Sequence, residues 1–333
     1  MGETVFIVPH GIAEGFSFAT VAVTVLAVLA AGLPLAGDMK RLRGIARLGI
    51  DHIEALIVMG NLVHELQRER GLSAAHASSP AQNPEPVTEQ HRRTDRFLGQ
   101  WRNSIDTLTL QGRAAATREA VRVQISALAQ SRARLLGNGL EPAAVVATYS
   151  AVIAALLEMS VAIVRATARG PTSRAALAYC NLLQAKEAAG RERATLTAAL
   201  KTPPLPPSVR ERCQDLVMTQ EMYLRQFDLL ASGEMAAFLK SSLSEVDGQI
   251  RAMRIAAAPE NGIPTVSPQD WFALSSRRID ALKTVEDRLA DAMKAGAVQF
   301  IATTQFQTWV ARTMVGISVA ATVSMIVLTR VFL

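Results

Sequence analysis

Leu56, Met59, Val63 and Leu66 recur at steps of three and four, and the same spacing runs on into Arg70. A stripe of that period is the inward face of a helix, so Arg70 is aimed at a core. Each residue turns an α-helix by about 100°, which places Arg68 on the other side. An arginine aimed at a core requires an anion or a carboxylate partner. The pattern occurs a second time. Tyr179, Leu182, Lys186, Ala189, Arg193, Leu196 and Leu200 share a stripe, and Arg191-Glu192-Arg193 repeats Arg68-Glu69-Arg70 in the same phase. Lys186 and Arg193 are the only cations on this second stripe. Two helices, each bearing an inward arginine, are expected to face one pocket; the alternative is that each Arg-Glu-Arg is a solvated helix face.

Half of the 333 residues are apolar but only 5% are aromatic, a mixture that suits helix packing better than sheets. No strand-like alternation interrupts the helical periods. Helices are expected from about 37 to 77, 87 to 110, 112 to 136, 141 to 168, 173 to 201, 208 to 231 and 233 to 257, with a last one from Pro268 onward. Pro80, the Pro84 and Pro86 pair, Gly137-Asn138-Gly139 and the run from Pro203 to Pro207 supply the breaks. Gly170-Pro171 divides the series near its middle. The expected fold is all-α, with eight soluble helices as two adjacent four-helix bundles.

Two apolar stretches bound this region. Residues 1–15 form a short tail without lysine or arginine, and Phe16 to Gly37 is 22 residues without a charge, long enough to cross a bilayer as a helix. With no positive charge ahead of it, this stretch is expected to stay as a membrane helix rather than serve as a cleaved signal. Thr313 to Thr329 is a second apolar run between Arg312 and Arg330, with Trp309 as an interface anchor. The expected organisation is a tail at 1–15, a membrane helix at 16–37, a sensing domain at 38–311 and a second membrane helix at 312–333.

Several classes of function find no support. The net charge of +6 is spread along the chain without the basic stripe or module of a nucleic-acid binder, and no nucleic-acid partner is expected. His64-Glu65 opens like a zinc-protease helix, but Arg68 stands where the second histidine belongs. The histidines lack metal-ligand spacing, and neither a phosphate-binding glycine loop nor a nucleophile elbow is present. No catalysis, metal or cofactor is expected. Cys180 and Cys213 make no disulfide framework and are read as small buried residues.

Leu66 to Ser73, followed by His91-Arg92-Arg93-Thr94-Asp95, resembles the opening of the NIT domain, the bacterial nitrate- and nitrite-sensing domain. Lys186-Glu187-Ala188-Ala189-Gly190-Arg191-Glu192-Arg193-Ala194 is similar to its second signature. The likeness continues through Asp270-Trp271 and Arg278-Ile279-Asp280-Ala281-Leu282-Lys283, and so covers roughly residues 45–305. It implies that the arginines of the two motifs bind nitrate or nitrite. Helical phase then selects Arg70 and Arg193, with Arg68, Arg191 and Lys186 as second choices. Nitrate is a planar anion with three acceptor oxygens and guanidinium is a planar forked donor, so the two match edge to edge. An internal salt bridge, for instance to Glu187 or Asp95, is the alternative for these arginines. Arg92, Arg93 and Asp95 are expected to support the bundle or pair at the surface.

Relatives of this kind usually hold the sensing domain outside the cell between two membrane helices and continue into an output module. Here the chain stops after the second apolar run. The expected partners are therefore the nitrate or nitrite anion, the bacterial inner membrane, a second copy of the chain and a separate signalling protein. The basic run Lys40, Arg41, Arg43 and Arg47 after the first span places the domain in the cytoplasm by the positive-inside rule; family habit places it on the other side. Other readings are a membrane adaptor bundle without an anion, or a chemoreceptor fragment for another small acid.

Overall fold

The computed structural model describes residue 44 and residues 49–79, 83–137, 140–166, 173–257 and 264–332. The tail at 1–15, the apolar stretch 16–37 and the break at Gly170-Pro171 lie outside the described residues. The chain divides into two units, one of Leu48–Ala297 and one of Met1–Arg47 with Val298–Leu333.

Eight helices and no strand make up the described residues. They are α1 (49–78), α2 (Glu85–Asp106), α3 (Gly112–Leu136), α4 (Pro142–Ala166), α5 (Ser173–Ala199), α6 (Pro207–Leu230), α7 (Gly233–Ala257) and α8 (Pro268–Phe332). Local chemistry sets their ends. Gly112 opens α3 at φ +54°, a left-handed conformation that a side chain would strain. Pro207 stands first in α6, where its missing N–H has no intrahelical bond to lose. Ser267 starts α8: its Oγ accepts the Asp270 N–H at 3.0 Å and donates to the Asp270 carboxylate at 2.7 Å.

Within residues 48–297, α3 packs on α4, α4 on α5 and α5 on α6. Two ionic clusters tie the helices. In the first, fully buried Glu69 of α1 accepts Nε and Nη2 of Arg132 from α3, each at 2.7 Å, and the Tyr149 hydroxyl from α4 at 2.5 Å. Arg132 Nη1 also reaches Asp95 of α2 at 2.6 Å. Glu65 completes the join to α2, accepting from Gln90 at 2.8 Å and Arg93 at 2.9 Å. In the second cluster, Glu192 of α5 accepts Nε and Nη2 of Arg254 from α7 at 2.6 and 2.7 Å, and Gln220 of α6 at 2.7 Å. Gln220 Oε1 then accepts Arg278 of α8 at 2.6 Å. The middle residue of each Arg-Glu-Arg motif thus anchors a cluster that reaches three other helices: Glu69 holds α3 and α4 with Asp95 of α2 joined through Arg132, and Glu192 holds α6 and α7 with Arg278 of α8 joined through Gln220. Arg92, by contrast, pairs at the surface with Glu85 and Glu89.

α1 and α5 meet closely at Gly60. A Cβ built there lies 2.1 Å from the Tyr179 hydroxyl oxygen and 3.3 Å from Glu286 Oε1. Gly60→Ala is therefore expected to destabilise the chain by about 1–3 kcal/mol through overpacking. A thermal melt of the full chain checks this, and an unchanged Tm would show that Tyr179 swings aside freely.

Among the described residues, α4 is the helix long and apolar enough to cross a membrane, yet half of its apolar window is buried inside the protein. Val152, Ile153, Leu156 and Ile163 occupy that core, as a central helix of a helical domain requires. Cys180 is buried and Cys213 half-buried, both as free thiols. In the other unit, the Val298–Phe332 part of α8 exposes Phe306, Trp309, Met314, Ile317, Val323 and Leu328.

Candidate anion-binding site

A cleft of about 690 Å³ opens within the Leu48–Ala297 unit. α1 contributes Gln67, Arg70, Gly71 and Ala74; α4 contributes Pro142, Val146, Ala147 and Ser150; α5 contributes Gly190, Arg191, Arg193 and Ala194. Lys201, Arg212 and Phe272 complete the cationic and aromatic part of the wall. Among the described residues, five cationic side chains line this space and no carboxylate does.

Arg70 is buried and held from two sides. Its Nη1 and Nη2 donate to the two oxygens of Glu187 on α5 at 2.7 and 3.1 Å, and Nη1 also donates to Ser150 Oγ on α4 at 2.9 Å. Gln67 Nε2 donates to the same Glu187 at 2.9 Å. The guanidinium lies against the backbone of α5, because a Cβ at Gly190 would come within 3.4 Å of its Nη2. Arg70 is inward, as its helical phase requires, and it makes the internal salt bridge to Glu187 that stood as the alternative to an anion: a carboxylate fills its fork.

Arg193 is the less satisfied of the two. Its Nη1 donates to Ser276 Oγ on α8 at 2.8 Å, and its Cζ stands 4.8 Å from the centre of the Phe272 ring, a cation–π contact. Among the described residues, no carboxylate is within ion-pairing distance of Arg193, Arg191, Lys201 or Arg212. Burial lowers the Arg193 pKa, the nearby Arg70 charge lowers it further, and Asp280 opposes them. An arginine does not deprotonate in a protein, so Arg193 keeps its charge there despite its burial and the neighbouring Arg70.

The second-choice residues separate. Arg68 is exposed and off the cleft. Arg191 was expected on the face away from the site, yet it is half-buried and lines the cleft beside Arg193; the cleft is wide enough to take side chains from both flanks of α5. Lys186 is fully buried but points elsewhere, pairing with Glu286 of α8. Lys283 joins that pair, donating to Glu286 at 2.8 Å and to Asn61 of α1 at 3.0 Å. Beside it, His64 has its pKa pushed down to about 3 by burial and then by Lys186 and Lys283, so it stays neutral.

The family described as nitrate and nitrite sensing, NIT, matches residues 61–294. This chain belongs to the NIT family. The matched span falls inside the Leu48–Ala297 unit and contains both Arg-Glu-Arg motifs and the cleft between them. The family's description is one of sensing rather than catalysis. The fold of this chain is similar to a solved structure, that of the NasR transcription antiterminator, with a TM-score of 0.69 at 18% identity; the likeness covers 88% of this chain and 83% of that one. No curated protein matches the chain.

Sequence reasoning singled out the two flanking arginines of each motif and passed over Glu69 and Glu192. The signal for them was present. Both sit at the same place in a repeated motif, one position from the stripe, and each holds an arginine on the third helix of its own series, Arg132 and Arg254.

Proposed function

We propose that this NIT chain senses nitrate or nitrite in the cleft, with Arg70 and Arg193 as the grips, and passes a rearrangement of its helices to a separate signalling protein. The observation that supports this reading is a cleft lined, among the described residues, by five cations and no carboxylate. Among the described residues, the one side-chain hydrogen bond of Arg193 goes to Ser276, leaving most of its five N–H donors for a ligand. A planar anion beside Arg193 and Arg70 offsets their mutual repulsion. It therefore favours the arrangement of α1, α4 and α5 that brings both arginines onto it, the differential affinity a switch needs.

In the same reading, α1–α4 and α5–α8 are two four-helix bundles side by side, supported by the two ionic clusters, each drawn from one set. Residues 16–37 and 312–333 are membrane helices flanking the sensing domain at 38–311. The uncharged Phe16–Gly37 stretch and the exposed apolar side chains from Met314 to Leu328 support that assignment. Two copies of the chain act together at the membrane, without nucleic acid.

Calorimetry of the full chain in detergent, titrated with nitrate, nitrite, chloride, sulfate and acetate, tests the ligand. Heat with nitrate or nitrite and none with chloride or sulfate is the expected result. Heat with acetate alone favours a sensor of small carboxylates, and no heat with any anion favours an adaptor bundle; either outcome overturns the reading.

A further inference from the structure

The carboxylate in the fork of Arg70 has the same shape and charge as the proposed ligand. Glu187 presents two coplanar oxygens to Nη1 and Nη2 at 2.7 and 3.1 Å, the bidentate pairing that guanidinium makes with planar oxyanions. One edge of nitrate or nitrite offers the same two acceptors and a single negative charge. We propose that Glu187 is an internal occupant of the anion site and a specificity-determining residue. In this proposal, an anion from solution gains the fork of Arg70 by displacing that carboxylate. It rests on the anion-binding reading given above.

The placement supports an exchange rather than simple addition. Glu187 and Gly190 are one helical turn apart on α5, so both face Arg70, and the missing side chain at Gly190 leaves the guanidinium lying on the helix. Ser150 Oγ already takes a further Nη1 donor at 2.9 Å, so the best-oriented pair of N–H groups is the one Glu187 holds. Arg193, which lines the same cleft without a carboxylate of its own, is the place where an incoming anion lands first.

Three properties follow. Affinity is set by the difference between two similar pairings, so it is moderate, as a sensor of a fluctuating ion requires. Selectivity follows from geometry: chloride is a single point acceptor and does not replace two parallel hydrogen bonds. The exchange also has a structural output, because Arg70–Glu187 is the ion pair joining α1 to α5 among the described residues. Each anion bound there opens that link.

Titration of the full chain in detergent with sodium nitrate tests this on Glu187→Gln and Glu187→Ala. Without the competing charge, Glu187→Gln is expected to bind nitrate at least about tenfold more tightly than the native chain. In Glu187→Ala, added acetate is expected to occupy the vacated fork and weaken nitrate binding in proportion to its concentration, with a smaller effect on the native chain, where acetate must first displace Glu187. Native nitrate binding that is equalled by, or stronger than, that of Glu187→Gln overturns the exchange while leaving the anion site standing. Absence of nitrate binding in the native chain and both variants overturns the functional reading along with it. Should these variants not fold, an infrared difference spectrum of the native chain with and without nitrate decides. A shifted carboxylate band supports displacement of Glu187, and a bound nitrate with no carboxylate change overturns it.

Discussion

Glu286→Gln is expected to lower the stability of the chain by about 3–5 kcal/mol, the usual effect of removing one member of a buried ion pair. Lys186→Met is expected to cost less than half as much. Both side chains are fully buried, but their alternatives differ. Lys186 has Glu286 as its ion partner, whereas Glu286 also accepts Lys283 at 2.8 Å and sits against the Tyr179 hydroxyl below Gly60. Losing the glutamate strands a lysine; losing the lysine leaves the glutamate with a second cation. Denaturant unfolding of the two variants makes the comparison, and equal losses would show that Lys283 does not hold Glu286. The pH dependence gives an independent reading. Burial lowers the pKa of Lys186 below its ordinary 10.5, and the charge of Glu286 opposes that. Without Glu286 the depression deepens. The unfolded chain then binds more protons than the folded one between the depressed value and 10.5, so the stability of Glu286→Gln rises with pH across that interval. Raising the pH toward 10 is expected to recover part of the loss.

The course of the helices is legible in the sequence because their ends are made by local chemistry. Gly112, Pro142, Pro207 and the Ser267 cap act through their own backbone or the next turn, and no distant residue is needed to place them. The inward phase of Arg70 is legible for the same reason. Partners are another matter, since they depend on which helix lies opposite. Lys186 sits on the stripe of α5, but its carboxylate is one hundred residues away on α8. Glu69 and Glu192 were missed for a further physical reason. A stripe reading assumes one buried face, yet α1 and α5 are enclosed on several sides. Glu69 turns one face of α1 toward Arg132, Asp95 and Tyr149, while Arg70, the next residue, turns another toward Glu187. In such a helix the residue beside the stripe is as buried as the stripe itself. The same enclosure brings Arg191 to the cleft. Arg68 has no equivalent neighbour and is exposed.

Arg70 and Arg193 are expected to behave alike toward nitrate and oppositely toward stability. Lysine keeps the charge but loses the planar fork, so Arg70→Lys and Arg193→Lys are each expected to weaken nitrate binding at least about tenfold, roughly 1.4 kcal/mol. Arg68→Lys, on the exposed face of α1, is expected to leave the affinity unchanged and serves as the control. Replacement by methionine separates the two sites in the absence of ligand. Arg70→Met strands the buried carboxylate of Glu187, which Arg70 holds through both oxygens, and is expected to destabilise the chain by about 3–5 kcal/mol. Arg193→Met removes a half-buried cation whose side chain, among the described residues, hydrogen-bonds to Ser276, and on which the like charge of Arg70 weighs more than the opposite charge of Asp280. It is expected to leave the empty chain as stable as before, or more so. Both methionine variants are expected to lose the rise in Tm that bound nitrate gives the native chain by mass action. Thermal melts with and without nitrate measure all of these on the same samples. An Arg193→Met chain that is destabilised as strongly as Arg70→Met would show that Arg193 has a structural partner, and the second grip on the anion would then have to come from Arg191, Lys201 or Arg212.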